Sequence, residues 1–393
     1  MSSGPTLPTE NSVSALEAQI LQLQTSFNQL WQKLKTPETP TPARIVIWGT
    51  QYGGSTLGCE PFTAAIQSRI WFTYRSGFEP ILRAEDGPGP LSFLGSMLFN
   101  AIPNTTVAGV LDSNHFTTDV GWGCMIRTSQ SLLANTLQSV ALGRDYCYKG
   151  TDSRLDAILS LFADNYNSPF SLHNFVRAAS ELPLQVKPGQ WFGPSAASLS
   201  IKRLCDRCMP GAVPKIHVMI SESCDLYDSE IEAHFARDRS VLLVLFPVRL
   251  GIENVNAYYH QSLFQLLASK HSVGIAGGKP SSSYYFFGYQ DSELLYLDPH
   301  NLQAVSRDGS TYHTSKCRSL PISALDPSML IGLSFLPELE GELVDDFVNV
   351  SDHFSDTDSG LVDVQRAAEG PETESSVDAS ISKYDLVGHT DAA

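Results

Sequence analysis

The sequence predicts an α+β fold, in which helices come mainly from the first half of the chain and strands from the second. Apolar residues recur at helical spacing through residues 124–142, and shorter helical patterns follow in SRLDAILSLFADNY and HNFVRAASEL. Runs rich in β-branched and aromatic residues, bounded by Gly, Pro, Asp or Ser, predict strands at 44–49, 241–250, 283–290 and 293–300. Because helices and strands are segregated along the chain, an α+β layout is favoured over a repeating βαβ sheet.

The composition indicates a globular protein of a reducing compartment. The chain has 393 residues, of which 42% are hydrophobic, a proportion that suits a substantial core. It shows neither a run of about 20 apolar residues nor a basic and then apolar leader, so membrane insertion and secretion are not expected. Seven scattered cysteines, an odd number in a long chain, are expected to be reduced thiols in the cytosol or nucleus.

Three segments follow from shifts in composition. Residues 1–43 combine an amphipathic helix at 13–35 with a proline-rich linker, residues 44–337 form the body, and residues 338–393 form an acidic tail. The tail holds 15 of the 42 acidic residues against two basic ones and has few apolar residues, which predicts disorder. The remaining body is close to neutral, and this argues against nucleic-acid binding, which needs a concentrated basic surface.

The segment TTDVGWGCMIRTSQSLLANTLQSVALG places Cys124 in the first turn of a predicted helix. A thiol at that position sees the positive end of the helix dipole, which favours the thiolate, and nearby main-chain N–H groups could receive an oxyanion. The pattern therefore makes Cys124 a candidate nucleophile. The alternative from the residues alone is a buried cysteine that acts as a small hydrophobe.

The segment ELLYLDPH supplies a candidate base and its orienting acid. If residues 293–300 form a strand, Asp298 and His300 leave the same face, and their side chains can hydrogen-bond. A carboxylate beside imidazole fixes the tautomer and leaves the second ring nitrogen for the thiol proton. The alternative is an exposed turn, because DPHN is also good turn chemistry.

Three further segments contain candidate residues near a cleft. Tyr74 in WFTYRSGFEPIL could donate its phenol hydrogen to an oxyanion, or it could be a half-buried tyrosine with its hydroxyl at the surface. Trp191 in GQWFGPS could cover a cleft or lie in the core. The small-residue segment HSVGIAGGKPSSS is predicted to be a long loop, and Gly277, Gly278 and Pro280 suit a lid that changes shape.

Cysteines 205 and 208 are spaced as in half of a zinc site, but the sequence has no second CxxC or HxxxH pair. We therefore expect no metal and no cofactor, and a redox pair is the favoured alternative for CDRC.

Five motifs in order across residues 44–337 resemble the autophagins, the cysteine peptidases of autophagy, and fit a fungal-type member of that family. They are FTYRSGFEPI, TTDVGWGCMIRTSQSLLA, GQWFGP, GGKPSSSYYFFGY and YLDPH. The resemblance implies a papain-like fold, a helical part with the cysteine and an antiparallel sheet with the acid and the histidine. It also implies a small auxiliary insertion, expected roughly within residues 195–270.

The same resemblance assigns roles to the candidate residues. It implies a catalytic triad of Cys124, His300 and Asp298, with Tyr74 and the Cys124 amide as oxyanion donors. Trp191 matches the tryptophan that lies over the substrate cleft. The loop that lifts to admit substrate is matched by Gly277, Gly278, Lys279 and Pro280.

The implied reaction is cleavage after the C-terminal glycine of a ubiquitin-like autophagy modifier. Removal of the C-terminal extension from the precursor exposes that glycine, and cleavage of the phosphatidylethanolamine conjugate recycles the modifier, which supports autophagosome formation. The expected partners are these two forms of the modifier, and autophagic membranes are contacted peripherally through the substrate. The expected locations are the cytoplasm, the nucleus and the preautophagosomal structure.

Two tail motifs are candidates for binding the modifier by β-augmentation. DDFVNV offers Phe347 and Val350, and KYDLV offers Tyr384 and Val387, each with an aromatic residue followed three positions later by an aliphatic one. Chance matches to so short a pattern are common, so that alternative stays open for both.

Overall fold

The computed structural model describes residues 45–52, 60–90, 114–208, 211, 214–279, 282–337 and 363–365. The predicted helix and linker within residues 1–43 lie outside the described residues. Pro280 and the tail residues Phe347, Val350, Tyr384 and Val387 also lie outside them, so these predictions stay predictions.

Helices are concentrated in the first half of the described chain, as the sequence predicts. They are α1 (Glu60–Gln67), α2 (Cys124–Leu142), α3 (Ser153–Ser160), α4 (Leu172–Ser180), α5 (Pro194–Arg207), α6 (Asp228–Arg237) and α7 (His260–Ala268). Local chemistry sets several of their ends. The Asp152 side chain accepts from the Arg154 amide at the start of α3, the Ser171 side chain accepts from the Asn174 amide at the start of α4, and Pro194 opens α5.

The strands of the described chain form one large sheet and two small ones. They are β1 (Ile45–Ile47), β2 (Thr50–Tyr52), β3 (Arg75–Leu82), β4 (His115–Thr118), β5 (Ile216–Ile220), β6 (Asp225–Tyr227), β7 (Val241–Arg249), β8 (Ser272–Lys279), β9 (Ser282–Gln290), β10 (Glu293–Leu297), β11 (Gln303–Ala304), β12 (Arg318–Pro321), β13 (Ser328–Phe335) and β14 (Asp363–Gln365). The large sheet has the order β12-β10-β9-β8-β13-β7-β5, and β1, which also pairs with β2, is added beside β9. Neighbours in it are antiparallel except β5 and β7. The predicted α+β class is confirmed.

The large sheet is buried on both faces. Along β7, Val241, Leu243 and Leu245 join a core that also contains α2 residues such as Leu133, whereas the alternate residues join a second core together with Leu263 of α7. Because successive side chains of a strand point to opposite faces, an almost continuous apolar run such as VLLVLFPV is typical of a strand covered on both sides. Helix α2 packs against β8, which carries Gly277, Gly278 and Lys279, and against β9.

The prediction of a long flexible loop at HSVGIAGGKPSSS is wrong. Residues 272–279 form β8, an inner strand that pairs with β9 and β13. A Cβ at Gly277 would lie 2.8 Å from the Met329 Cβ, and one at Gly278 would lie 2.2 Å from the Ser282 carbonyl oxygen. The glycines are therefore explained by close packing between strands, while Lys279 is exposed at the end of the strand.

The predicted strand at 293–300 is shorter than expected. Strand β10 ends at Leu297, and Asp298, Pro299 and His300 lie in the turn that follows. The Asp298 carboxylate accepts a hydrogen bond from the His300 amide at 3.0 Å, which closes the turn and ends the strand. The alternative of a turn at DPHN is therefore confirmed for the main chain of these residues.

The structure describes parts of two other predicted segments. The range 195–270, expected to hold a small insertion, contributes β5 and β7 to the large sheet. The tail lies largely outside the described residues, but within it β14 pairs in parallel with β6. No helix within the described parts of the chain is both long enough and apolar enough to cross a membrane.

Candidate active site

The candidate nucleophile Cys124 is the first residue of α2 and is 1% exposed. A tight turn leads into it, in which the amides of Trp122 and Gly123 donate to the Asp119 carbonyl oxygen at 3.2 and 2.9 Å. Only glycine fits at position 123, because a Cβ there would lie 2.5 Å from Asp119 Oδ2. The first main-chain hydrogen bond of the helix runs from the Arg127 amide to the Gly123 carbonyl oxygen. The Cys124 amide comes earlier in the chain and therefore has no partner within the helix.

A buried ionic cluster, made of Asp119, Arg127 and Asp164, holds this turn in place. Arg127 donates to Asp119 Oδ2 at 2.7 Å and to Asp164 Oδ1 at 2.8 Å, and Asp119 Oδ1 accepts from the Arg75 amide at 2.7 Å. Burial alone would lower the pKa of Arg127, but its two carboxylate partners raise it well above the usual range. The sequence analysis missed this cluster, since nothing in the spacing of these residues reveals that they meet.

The candidate base and acid are bonded to each other. His300 Nδ1 lies 2.6 Å from Asp298 Oδ1, and the Asp298 carbonyl oxygen accepts from the Trp71 indole at 2.8 Å. Arg318 on β12 contacts the other carboxylate oxygen at 3.1 Å, although its side chain is 67% exposed. Burial alone would raise the pKa of Asp298, but the bonds from His300 and the charge of Arg318 lower it, so the carboxylate is ionised at neutral pH.

The thiol of Cys124 interacts with this imidazole. Burial would lower the pKa of His300, but hydrogen bonds and charge from Asp298 and Cys124 raise it to about 9. Nδ1 is engaged with Asp298, and the other ring nitrogen, Nε2, is buried and forms no hydrogen bond to any described residue. The structure therefore places the candidate nucleophile near the candidate base, although the two lie in separate segments of the sequence.

Tyr74 lies beside Cys124 and His300 and is only 5% exposed, so the alternative of a half-buried tyrosine is wrong. Its amide donates to the Pro299 carbonyl oxygen at 2.9 Å, and its ring meets the His300 ring edge-on at 5.3 Å. Burial, and then the charge of Cys124, raise the pKa of the Tyr74 phenol well above its usual range, and the Gly121 amide interacts with the phenol oxygen. The phenol thus stays protonated and is a hydrogen-bond donor next to the sulfur.

Two further aromatic residues lie on other parts of the fold: Trp191 precedes α5, and Tyr284 is on β9. Trp191 is 45% exposed, so the alternative of a core tryptophan is wrong. Tyr284 on β9 meets the His300 ring edge-on at 5.5 Å, a contact that the sequence analysis missed. Strand β9 reaches the imidazole because β10, which ends just before Asp298, pairs with it as far as Leu297.

The CDRC pair lies at the end of α5, where Cys205 is buried and Cys208 caps the helix. Burial raises the pKa of both thiols, which disfavours the thiolate that a metal or a disulfide exchange requires. Among the described residues, no group of three or more His, Cys, Asp or Glu side chains could hold a metal ion.

Residues 59–344 match the model of the peptidase C54 catalytic domain. The chain is 53% identical over 301 residues to a protein of Debaryomyces hansenii named "Probable cysteine protease ATG4", an alignment that covers 74% of this chain and 61% of the relative. It is 48% identical over 315 residues to a protein of the same name from Meyerozyma guilliermondii, covering 78% of this chain and 74% of the relative. It is 50% identical over 281 residues to the "Cysteine protease ATG4" of Candida albicans, covering 68% of this chain and 60% of the relative.

Proposed function

The chain belongs to the peptidase C54 family, and from that premise we propose that it is a cysteine endopeptidase acting on a ubiquitin-like autophagy modifier. Membership confirms the predicted papain-like fold, and the names of the yeast relatives favour a protease of autophagy. The aligned part spans only about three fifths of the length of the first relative, so the activity and the substrate belong to the proposal.

One observation carries the proposal: Cys124, buried at the start of α2, raises the pKa of an imidazole whose Nδ1 lies 2.6 Å from a carboxylate. In that arrangement Asp298 fixes the tautomer of His300, and His300 takes the thiol proton. The resulting thiolate and imidazolium stabilise each other, which agrees with the raised pKa of His300, about 9. The thiolate then attacks the carbonyl carbon of the substrate glycine.

The attack places negative charge on the carbonyl oxygen of the substrate. Tyr74 and the amide of Cys124 are the donors that we assign to it, because the phenol is protonated and adjacent to the sulfur and the amide precedes the helical ladder. The His300 imidazolium then gives its proton to the departing nitrogen, and a thioester with Cys124 remains. Water, deprotonated by His300, attacks this thioester and releases the glycine carboxylate and the thiol.

The same chemistry serves both proposed substrates, since each presents an amide bond after a glycine. In the precursor the leaving nitrogen belongs to the next residue, and in the lipid conjugate it belongs to phosphatidylethanolamine. The exposed indole of Trp191 is available to lie over a slim, glycine-ending tail, and we assign it that role. The β8–β9 hairpin stays a candidate for movement only at its tip around Lys279, because Gly277 and Gly278 are packed between strands.

The test uses the full chain and a panel of ubiquitin-like precursors with short C-terminal extensions, read by mass spectrometry. We expect cleavage after the glycine of the autophagy modifier alone. A second assay measures release of the modifier from vesicles that carry its phosphatidylethanolamine conjugate. Cys124→Ser should keep binding to the modifier and lose cleavage by at least roughly 10³-fold, because a hydroxyl is not ionised by the imidazole.

The exposed thiol of Cys147 gives a matched control, and Cys147→Ser should cleave at the wild-type rate. Cleavage by Cys124→Ser at that same rate would contradict the assignment of the nucleophile. If no precursor is cut although iodoacetamide labels Cys124 before the other thiols, the peptidase chemistry stands and the substrate is wrong. If Cys124 is labelled no faster than the others, the chain is a binding protein rather than an enzyme.

A further inference from the structure

Two arginines share one tryptophan ring at the end of α2 that is remote from Cys124. Arg69 follows α1 and Arg144 follows α2, and their guanidinium carbons lie 4.4 and 4.6 Å from the Trp48 ring centroid. The 19 residues of α2 span about 28 Å at 1.5 Å per residue, so this double-arginine cluster is separate from the candidate active site. Nothing in the proposed peptidase mechanism uses it.

The Nε–H group of Arg69 is buried without a hydrogen-bond partner among the described residues. The residue as a whole is only 4% exposed. A buried and unsatisfied donor costs free energy, so such a group in a folded protein calls for a water molecule or an ion that completes it. Stacking on Trp48 stabilises the cation through the ring face but does not satisfy its N–H groups.

Arg144 adds a second positive charge that has only neutral acceptors. Its Nη2 donates to the main-chain carbonyl oxygens of Trp48 at 2.8 Å and Ser272 at 2.9 Å. Neither arginine forms an ion pair with a carboxylate in the part of the chain that the structure describes, although Asp145 acts on both through its charge over a longer distance.

The two charges oppose one another. Burial, and then the charge of Arg69, lower the pKa of Arg144 to about 10, and burial lowers the pKa of Arg69. The hydroxyl groups nearby, on Tyr52 and Tyr285, interact with Arg69 only as uncharged phenols, because burial raises the pKa of both. A negative charge placed here would relieve the repulsion and occupy the N–H groups of Arg69.

We propose that Arg69 and Arg144 form a binding site for a small, free oxyanion of the phosphate type beside Trp48. Guanidinium groups offer planar pairs of N–H donors that match the oxygens of phosphate, and charge-assisted bonds of this kind are the stronger ones. The 4% exposure of Arg69 selects a small free ion, because a headgroup still anchored in a membrane surface could not reach a buried guanidinium. The bound ion would join β1, the chain after α1 and the end of α2.

The direct test is calorimetric titration of the full chain with inorganic phosphate at constant ionic strength, with chloride as the balancing ion. Wild-type protein should bind one phosphate, and Arg144→Gln should weaken that binding at least about tenfold through loss of a charge-assisted contact. Arg177→Gln, which removes a charge from an exposed side chain on α4, should bind as the wild type does. Cys124→Ala should also leave phosphate binding unchanged, which separates this site from the peptidase site.

A second measurement follows the arginine Nε–H signals during the same titration. The Arg69 signal should shift, whereas that of Arg75, whose Nε is also buried without a partner, should not. This readout needs no variant at Arg69, so it does not depend on whether a substitution at that buried position folds.

Three results would overturn the proposal. The first is a phosphate titration that shows no more binding than chloride does, since Arg69 and Arg144 would then only stack on Trp48. The second is phosphate binding that is lost in Cys124→Ala. The third is recruitment of the wild type, but not of Arg144→Gln, to vesicles carrying phosphatidylinositol 4-phosphate, because the ligand would then be a membrane headgroup.

Discussion

Replacement of Asp298 by asparagine isolates the carboxylate that we propose as the orienting acid. Asparagine keeps the size of the side chain and an oxygen that can accept from the His300 amide, as Asp298 does at 3.0 Å. It removes the negative charge at 2.6 Å from Nδ1 and the ionic contact with Arg318. The turn should therefore survive while the imidazolium loses its nearest anion.

The magnitude follows from the pKa of His300. That pKa is raised from 6.5 to about 9, against the opposing effect of burial, by Asp298 and Cys124. At 1.36 kcal/mol for each tenfold change, the rise corresponds to roughly 3 kcal/mol in favour of the charged ring in the folded state. Because the folded pKa is the higher one, this stability is fully present below the unfolded pKa and is lost as the pH rises through about 9.

The assay is urea unfolding of wild type and Asp298→Asn at pH 6 and at pH 10. The wild type should lose more stability than the variant between these two conditions, by a part of roughly 3 kcal/mol, because the variant keeps only the contribution of Cys124 to the charge on His300. Peptidase activity at neutral pH should fall by roughly 10²- to 10⁴-fold, since the ring also loses its fixed tautomer.

Asp308→Asn is the matched control, because Asp308 accepts from the Ser310 amide in a similar turn but lies away from His300. It should keep the pH dependence and the activity of the wild type. If Asp298→Asn loses as much stability as the wild type between pH 6 and pH 10, the carboxylate does not hold the charge on His300. The reasoning about the pair is then refuted.

Two further predictions concern the turn that presents Cys124. Arg127→Met should lower the free energy of unfolding by about 3–5 kcal/mol, because it leaves the carboxylates of Asp119 and Asp164 buried without a cationic partner. A loss below about 1 kcal/mol in urea unfolding would show that the cluster does not stabilise the fold. Gly123→Ala should slow alkylation of Cys124 and cleavage at least about tenfold, since the new Cβ would lie 2.5 Å from Asp119 Oδ2 and must displace the helix start. Gly309→Ala, whose nearest atom would be the Asp156 carboxylate oxygen at 3.1 Å, is its control, and equal rates in the two variants would contradict this account.

Much of the local structure could be read from sequence patterns. The apolar spacing after Cys124 predicted a helix over 124–142, and α2 has those bounds. The runs at 241–250 and 283–290 predicted β7 and β9 to within one residue at each end. These predictions succeed because helix and strand periodicities are properties of a single segment and of the faces that it buries.

One wrong prediction concerns a segment whose glycines are compatible with two different structures, a flexible loop and a closely packed strand. HSVGIAGGKP was predicted to be a loop because glycine permits many backbone conformations, but Gly277 and Gly278 lie in β8, where Met329 and Ser282 leave no room for a Cβ. Whether a glycine provides freedom or close approach depends on what packs against it, and that neighbour comes from another part of the chain.

The sequence by itself determined the chemistry available at three places: a thiol at a helix start, a carboxylate two residues before an imidazole, and a tyrosine in an aromatic segment. Only the tertiary structure decided that Cys124, His300 and Tyr74 meet, because that meeting depends on α2 packing against β8 and β9 and on the pairing of β10 with β9. The buried cluster around Arg127 and the two arginines on Trp48 were decided in the same way. Charges and donors from distant segments are brought together by the packing of the sheet and its helices, and no local period in the sequence encodes that contact.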